Sequence, residues 1–332
     1  MREWPHVVVI GTSVGGHQAL QQLLSGLPSD FTPPIFIVMH IGAHKIDLPQ
    51  MFQQDTSLPI RYATDYERIE AGTVLFAPPD QHILLDDGVV RLSHAPKENF
   101  SRPAIDPLFR TAAFAHRERV VGVVLTGNLD DGTIGLQAIK ACGGITVVQD
   151  PATAVAPDMP RSALDHVDVD YCLPLEAIAD KLVQLAKSEP VSPISAAIPH
   201  WIPVESKMNL NEGSSMEELD KIGHQSKLTC PECNGVLWEV DNPNKLRFRC
   251  HTGHSFTGEA LDFAQNVAFE EAIWFAIRAL HEKQRLLKRL ADSAREGKRE
   301  GTARDYEESA LQAAQHAAVL QRLVVGSQSE SA

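Results

Sequence analysis

Three side chains that could carry acyl transfer each follow a short apolar, strand-like run. Ser13 follows Val7–Ile10 in VVVIGTSVGG, His40 ends IFIVMH, and Asp131 lies in the GNLDDG turn after VVGVVLTG. A serine hydroxyl is a weak nucleophile and needs a base. An imidazole can take its proton and return it to the leaving group. A carboxylate behind the imidazole fixes its tautomer and steadies the transient imidazolium. Each residue alone has a plainer use: His40 as a hydrogen-bonded core histidine, Asp130 and Asp131 as caps of the helix that follows. Their joint occurrence at strand ends favours chemistry, because ligands of open α/β sheets bind outside the carboxyl ends of the strands.

The frame Gly11-Thr12-Ser13-Val14-Gly15 spells G-x-S-x-G, a strand-to-helix elbow that exposes a serine Oγ. The free N–H groups of the following helix point at the same spot and could stabilise an oxyanion. A phosphate-cradling loop is the second reading of this turn and an inert turn the third. A dinucleotide fingerprint is excluded, since Ser13 stands at its middle glycine and no acidic residue ends the second strand. The order Ser, His, Asp and an elbow as early as residue 13 also differ from the α/β-hydrolase pattern.

The elements that must position these groups alternate. Strand-like runs fall at 7–10, 35–40, about 61–63, 74–77, 120–127, 145–149 and 171–173, with helical patterns between them. HILLDDGVVRLS reads as a hairpin about Asp87-Gly88. The expected fold is α/β: a doubly wound, mostly parallel sheet with one antiparallel hairpin, followed by a small zinc ribbon and an α-helical hairpin. The expected division is a catalytic domain over 1–187, a Pro/Ser/Asn/Glu-rich and largely disordered linker over 188–226, a ribbon over 227–257 and a helical hairpin over 258–325. The hairpin's apolar positions at helical spacing are Phe263, Val267, Ile273, Ile277 and Leu280, then Leu311, Ala314, Ala318 and Leu320. Such a stripe is read as packing surface.

The 332 residues suffice for about two domains. A formal net charge of −13 argues against a large nucleic-acid footprint. The start MREWPHVVVIG is not a signal peptide and no apolar run approaches a membrane span, so a cytoplasmic protein without membrane insertion is expected. Cys142 and Cys172 read as small buried hydrophobes.

Cys230-Pro-Glu-Cys233, sixteen residues, then Cys250-His251-Thr252-Gly253-His254 is a zinc-ribbon signal, since Zn²⁺ takes four tetrahedral S and N ligands. Adjacent Cys250 and His251 would struggle to bind one ion, which favours His254 as the fourth ligand over His251. With four protein ligands the zinc would be structural. Lys245, Arg247 and Arg249 are the sole support for nucleic-acid binding by this segment, and structural or protein-contact roles are preferred.

IGTSVGG, IFIVMHIG, LFAPPDQH, SRPAIDPLF, VVLTGNLDDG and QDPATAVAPDMPRSAL occur in order and together span most of residues 5–187. On these stretches the chain resembles the catalytic domain of bacterial chemotaxis protein-glutamate methylesterases. The resemblance implies that Ser13 is the nucleophile, His40 the base and Asp131 its carboxylate. It implies hydrolysis of glutamate γ-methyl esters on the cytoplasmic helices of chemoreceptors with release of methanol, deamidation of receptor glutamines as well, and no metal or organic cofactor for that chemistry. The oxyanion donors it implies are the backbone N–H groups of Val14 and Asn128. Val14 replaces a common threonine, and Asn128-Leu129 replaces the usual Met-Gly pair. The chain starts directly at the first catalytic strand, so a stand-alone form is expected, without control by an attached phospho-receiver domain. The Cys/His segment resembles ribbons appended to some stand-alone members.

Within the well-matched SRPAIDPLF loop, Arg102, with Asp106 behind it, is a candidate for positioning an acidic receptor segment; a structural Arg–Asp pair is the alternative. Two other functions are weighed. One is an esterase or amidase acting on a different protein substrate. The other is a non-catalytic signalling scaffold whose ribbon and C-terminal helices dock a partner.

Overall fold

The computed structural model describes residues 6–40, 47–190, 197–210, 215–242 and 244–328. The chain runs β1 (Val7–Thr12), α1 (Gly16–Ser25), β2 (Ile35–Met39), α2 (Leu48–Phe52), β3 (Ile60–Tyr62), β4 (Val74–Phe76), β5 (His82–Asp86), β6 (Val89–Ser93), α3 (Ile105–His116), β7 (Val120–Val124), α4 (Thr133–Ala141), β8 (Ile145–Gln149), α5 (Asp158–His166), β9 (Tyr171–Leu173) and α6 (Leu175–Ala186). It continues through α7 (Trp201–Leu210), α8 (Met216–Leu219), β10 (Gly223–Thr229), β11 (Val236–Val240), β12 (Arg247–Cys250), β13 (Ser255–Thr257), α9 (Gly258–Glu296) and α10 (Glu300–Gln328).

Seven of these strands form a parallel sheet in the order β3-β4-β2-β1-β7-β8-β9. Their apolar side chains sort by parity. Val7, Val9, Phe36, Val38 and Leu75 pack with α3 and α4, whereas Val8, Ile10, Ile35, Ile37 and Phe76 pack with α1, α2 and α6. A sheet covered on both faces leaves no position for polar alternation, which is why these strands read as continuous apolar runs. From β1 the chain winds outward through β2 to β4 and β3, then returns to place β7 on the other side of β1. That reversal opens a crevice at the carboxyl ends of β1 and β7.

β5 and β6 pair as a separate hairpin. Its turn residues Asp87 and Gly88 have φ of 40° and 87°, the two positive values that a type I′ turn requires and that its Asp-Gly dipeptide signals.

Residues Met1–Leu261 form one compact unit and Asp262–Ala332 a second. The first unit therefore includes the ribbon, a sheet in the order β10-β11-β12-β13, and the segment expected to be a bare linker. That expectation is corrected. Trp201, Ile202, Glu205, Met208 and Asn209 of α7 are buried, and β10 begins at Gly223, before the expected ribbon boundary. Within this segment Glu205 and Asn209 are polar because they enter a buried ion network, whereas Ser215, Glu217, Asp220 and Lys221 are exposed. Cys142 is buried, but Cys172 is exposed on the edge strand β9, contrary to its reading as a core residue.

In the second unit α9 and α10 meet along a seam of small residues. Ala291, Ala294, Ala303, Ala310, Ala313 and Ala317 are buried, with Ile273, Ile277 and Val324 clustered together. Of the expected stripe, Ile273 and Ile277 lie in the seam with Leu320 packed against them, whereas Leu311 is 60% exposed and Phe263 and Val267 are exposed to a lesser degree. No helix among the described residues is long and apolar enough to cross a membrane.

Candidate active site

Ser13 follows β1, His40 follows β2 and Asp131 lies beyond β7, so three adjacent strands deliver the predicted trio to one rim of the sheet. His40 Nε2 lies 3.0 Å from Asp131 Oδ2, with side-chain exposures of 17% and 4%. Ser13 is half-buried at the mouth of the turn.

Thr126, just past β7, fastens the serine turn. Its carbonyl accepts from the Ser13 N–H at 2.9 Å and from Thr12 Oγ1 at 2.9 Å. Its hydroxyl donates to Val14 O at 2.8 Å and accepts from Ala156 N–H at 2.8 Å. Gly15 precedes α1 with φ of 79°, and a Cβ there would stand 2.6 Å from Val155 Cβ. Both backbone sign and space therefore demand glycine. Gly127 admits the nucleophile in the same way, since a Cβ would lie 2.8 Å from Ser13 Cβ.

Asp131 is held on every side. Oδ2 accepts from the Ile105 N–H at 2.7 Å, and Oδ1 accepts from the Asp106 N–H at 3.2 Å and from Asn99 Nδ2 at 3.1 Å. Burial by itself would push this carboxyl up. The His40 imidazole beside it, then the Ile105 N–H and Asn99, more than offset that and hold it below the usual aspartate range. Asp106 is the opposite case. Its Oδ1 accepts the N–H groups of Gly132 and Gly135 at the start of α4, at 3.0 and 2.7 Å. Burial first, and the Asp131 charge second, raise its carboxyl well above the ordinary value. Two neighbouring carboxyls are thus driven apart, leaving the one against His40 as the anion.

The two proposed oxyanion amides sit at the ends of these turns. Among the described residues neither the Val14 nor the Asn128 N–H has an intramolecular acceptor. Leu129, beside Asn128, takes φ of 61°.

Arg102 does not sit in front of Asp106. Its guanidinium binds Asp80 Oδ1 at 2.8 and 2.9 Å and the carbonyls of His94 and Ala95 at 3.0 and 3.1 Å, next to the cis Arg102–Pro103 peptide. Asp106 is instead spent on α4 and Asn99, so the expected Arg102–Asp106 arrangement is corrected. Among the other histidines, His82 is a buried structural group between Ala104 N–H and Pro96 O, and His44 lies outside the described residues. Asn99 and Thr126 were missed. The position of Thr126 just past a strand end was a usable signal; Asn99, in a polar loop, offered none.

Cys230, Cys233, Cys250 and His254 present ligand atoms within 4.8 Å of one another. Cys233 Sγ and Cys250 Sγ are 3.7 Å apart, and Cys250 Sγ is 3.5 Å from His254 Nδ1. A tetrahedral ion with Zn–S of about 2.3 Å and Zn–N of about 2.0 Å needs edges of about 3.8 and 3.6 Å. The donor set fits. The hydrogen bond within the Cys230–Cys250 pair draws the Cys250 thiol down, with help from His254, and pushes the Cys230 thiol up, so Cys250 is the readier thiolate of the two. His251 lies outside this group and packs over Gly235.

Known proteins share this arrangement's framework. A Leptospira interrogans protein named as a protein-glutamate methylesterase/protein-glutamine glutaminase is 43% identical over 180 residues, covering 54% of this chain and 93% of that protein. One from Anaeromyxobacter dehalogenans with the same naming is 42% identical over 182 residues, covering 54% of this chain and 53% of that protein. The crystal structure of the Thermotoga maritima CheB methylesterase catalytic domain superposes with a TM-score of 0.52 at 34% identity, covering 54% of this chain and 98% of that one. The profile of the CheB methylesterase family matches residues 8–182, the sheet and the loops that carry the trio, and the chain belongs to that family.

Proposed function

We propose that the protein is a serine hydrolase that removes γ-methyl esters from glutamates of a chemoreceptor-type protein. The observation that carries this reading is the His40–Asp131 pairing at 3.0 Å on the rim where Ser13 follows β1. With Nε2 turned to Asp131, Nδ1 is the ring nitrogen left for the serine proton. Ser13 Oγ attacks the ester carbonyl as His40 takes that proton, and the Asp131 anion steadies the imidazolium. The Val14 and Asn128 amides receive the oxyanion. His40 then protonates the departing methoxide, which leaves as methanol. A water, deprotonated by the same imidazole, releases the glutamate from Ser13. Glutamine deamidation follows the same steps with ammonia leaving, and the double naming of the relatives favours it as a second activity.

Arg102 is assigned to loop structure, because its donors are spent on Asp80 and two carbonyls. Cys230, Cys233, Cys250 and His254 would hold zinc as a structural ion, which four protein ligands leave without a position for water.

Methanol release from a methyl-labelled receptor tests the reading. Wild type should release it, and Ser13→Ala should lower the rate by at least about a thousandfold. Undiminished release by Ser13→Ala would overturn the nucleophile. Release by neither protein would favour a different protein substrate or a scaffold.

A further inference from the structure

The ribbon reaches the proposed relay through one residue. Thr257, in β13, donates its backbone N–H to Asn99 Oδ1 at 3.2 Å and its hydroxyl to Asp130 Oδ1 at 2.9 Å. It therefore grips both flanks of Asp131: the side chain that donates to it and the residue that precedes it. A second strand-like bond reinforces the first, from Asn99 N–H to Ser255 O at 2.9 Å.

Asn99 is buried with φ of 47°, a backbone conformation that asparagine tolerates better than most residues. The orientation of its carboxamide is fixed by its partners. The oxygen must face the Thr257 donor, while the NH₂ faces two carboxyls, Asp131 Oδ1 at 3.1 Å and Asp106 Oδ2 at 3.0 Å. A carboxamide pinned at both ends can fix the rotamer of Asp131, and with it the direction from which His40 is held.

The metal donors clamp the other end of this path. His254 lies three residues before Thr257, and the turn from Cys250 to His254 is closed by the Cys250 N–H to His254 O bond at 2.9 Å. That turn sets the pairing of β12 with β13, Arg247 opposite Thr257 and Arg249 opposite Ser255.

We propose that Asn99 is a positioning residue for the hydrolysis, and that the metal-closed Cys250–Thr257 hairpin holds it, so that metal occupancy of the ribbon sets the geometry of the His40–Asp131 pair. This rests on the relay reading above.

The test uses the full chain with its metal, and again after chelation under reducing conditions. Wild type, Asn99→Ala and Thr257→Val are compared for kcat, KM, metal content and the NMR resonance of the His40 imidazole N–H. Asn99→Ala removes a hydrogen bond to a buried charge, so kcat should fall about ten- to a hundredfold. KM and metal content should stay near wild type, and the His40 resonance should move. Thr257→Val loses the hydroxyl bond to Asp130 but keeps the backbone N–H to Asn99, so it should act in the same direction and more weakly. Removing metal from wild type should move the same resonance, and removing it from Asn99→Ala should add less than the product of the separate losses. Wild-type kcat in Asn99→Ala, or independent multiplication of the two losses, overturns the proposal. If the metal-free chain unfolds, Thr257→Pro in its metal-bound form decides, because it removes the backbone N–H that Asn99 Oδ1 accepts: an unmoved His40 resonance overturns the proposal there too. Hydrolysis surviving Ser13→Ala would instead sink the relay reading, and the resonance measurements would still judge the ribbon's hold on His40.

Discussion

Leu129 stands in the left-handed region with φ of 61°, at a position where the family usually has glycine. A side chain there costs about 1–2 kcal/mol, and glycine would relieve it while losing about 0.5–1 kcal/mol through its freer unfolded chain. Leu129→Gly should therefore leave stability unchanged or raise it by up to about 1.5 kcal/mol. Leu129→Val, with its branch at Cβ, should destabilise by about 1 kcal/mol or more. Urea unfolding midpoints would check both, and a stable valine variant would mean that the strain is absorbed elsewhere. The residues legible from the sequence were those with a local signature. Ser13, His40 and Asp131 each end or closely follow an apolar run, and Cys230, Cys233, Cys250 and His254 carry a spacing. Asn99 and Asp106 have no such signature, because their partners arrive from far along the chain. The Asn99–Thr257 bond spans 158 positions, and Asp106 gains its N–H donors only when α4 docks.

At the scale of elements, the parallel strands and the Asp-Gly hairpin could be read because a sheet covered on both faces and a type I′ turn each impose a composition. The helix α7 could not, since Glu205 and Asn209 read as surface residues until their buried arginine partners are known. The α9–α10 seam was legible only in part: Ile273 and Ile277 of the expected stripe lie in it, and Leu311 does not. A pattern search weights leucine over alanine, yet two helices approach closely only where side chains are small. Ala313 is accordingly buried while Leu311 is exposed. Ala313→Leu should overpack the seam and cost about 1–3 kcal/mol, whereas Leu311→Ala should lie within about 0.5 kcal/mol of wild type. Thermal unfolding followed by helical circular dichroism would separate them. The reverse ranking would place Leu311 in the seam.

Across the first unit, α3 with the loop before it, α7 and the ribbon share one buried ion network whose response to acid has a definite sign. Glu98 contacts Arg110 at 2.8 Å and also pairs with Arg249, and Glu205 meets Arg249 at 2.9 Å and also pairs with Arg247. Burial by itself would raise both carboxyls. The arginines outweigh it, Arg110 then Arg249 for Glu98 and Arg247 then Arg110 for Glu205, and both end below the ordinary glutamate range. In the unfolded chain they titrate at about 4.3. As the pH falls through that value, the unfolded state takes up protons that the folded state still refuses, so their contribution is present above it and lost on acidification. Asp106 and Asp130, raised by burial, work in the other direction, and protonation of the proposed metal ligands would add a loss of its own. A difference between variants removes these shared contributions. Glu205→Gln leaves arginines without their anion and should destabilise by about 3–5 kcal/mol at neutral pH. Near pH 3 wild type has itself begun to lose the benefit of that anion, so the gap in denaturant midpoints should narrow steadily below about pH 5. A gap independent of pH would mean that Glu205 contributes by packing, and that charge is not what holds α7 and the ribbon to the catalytic sheet.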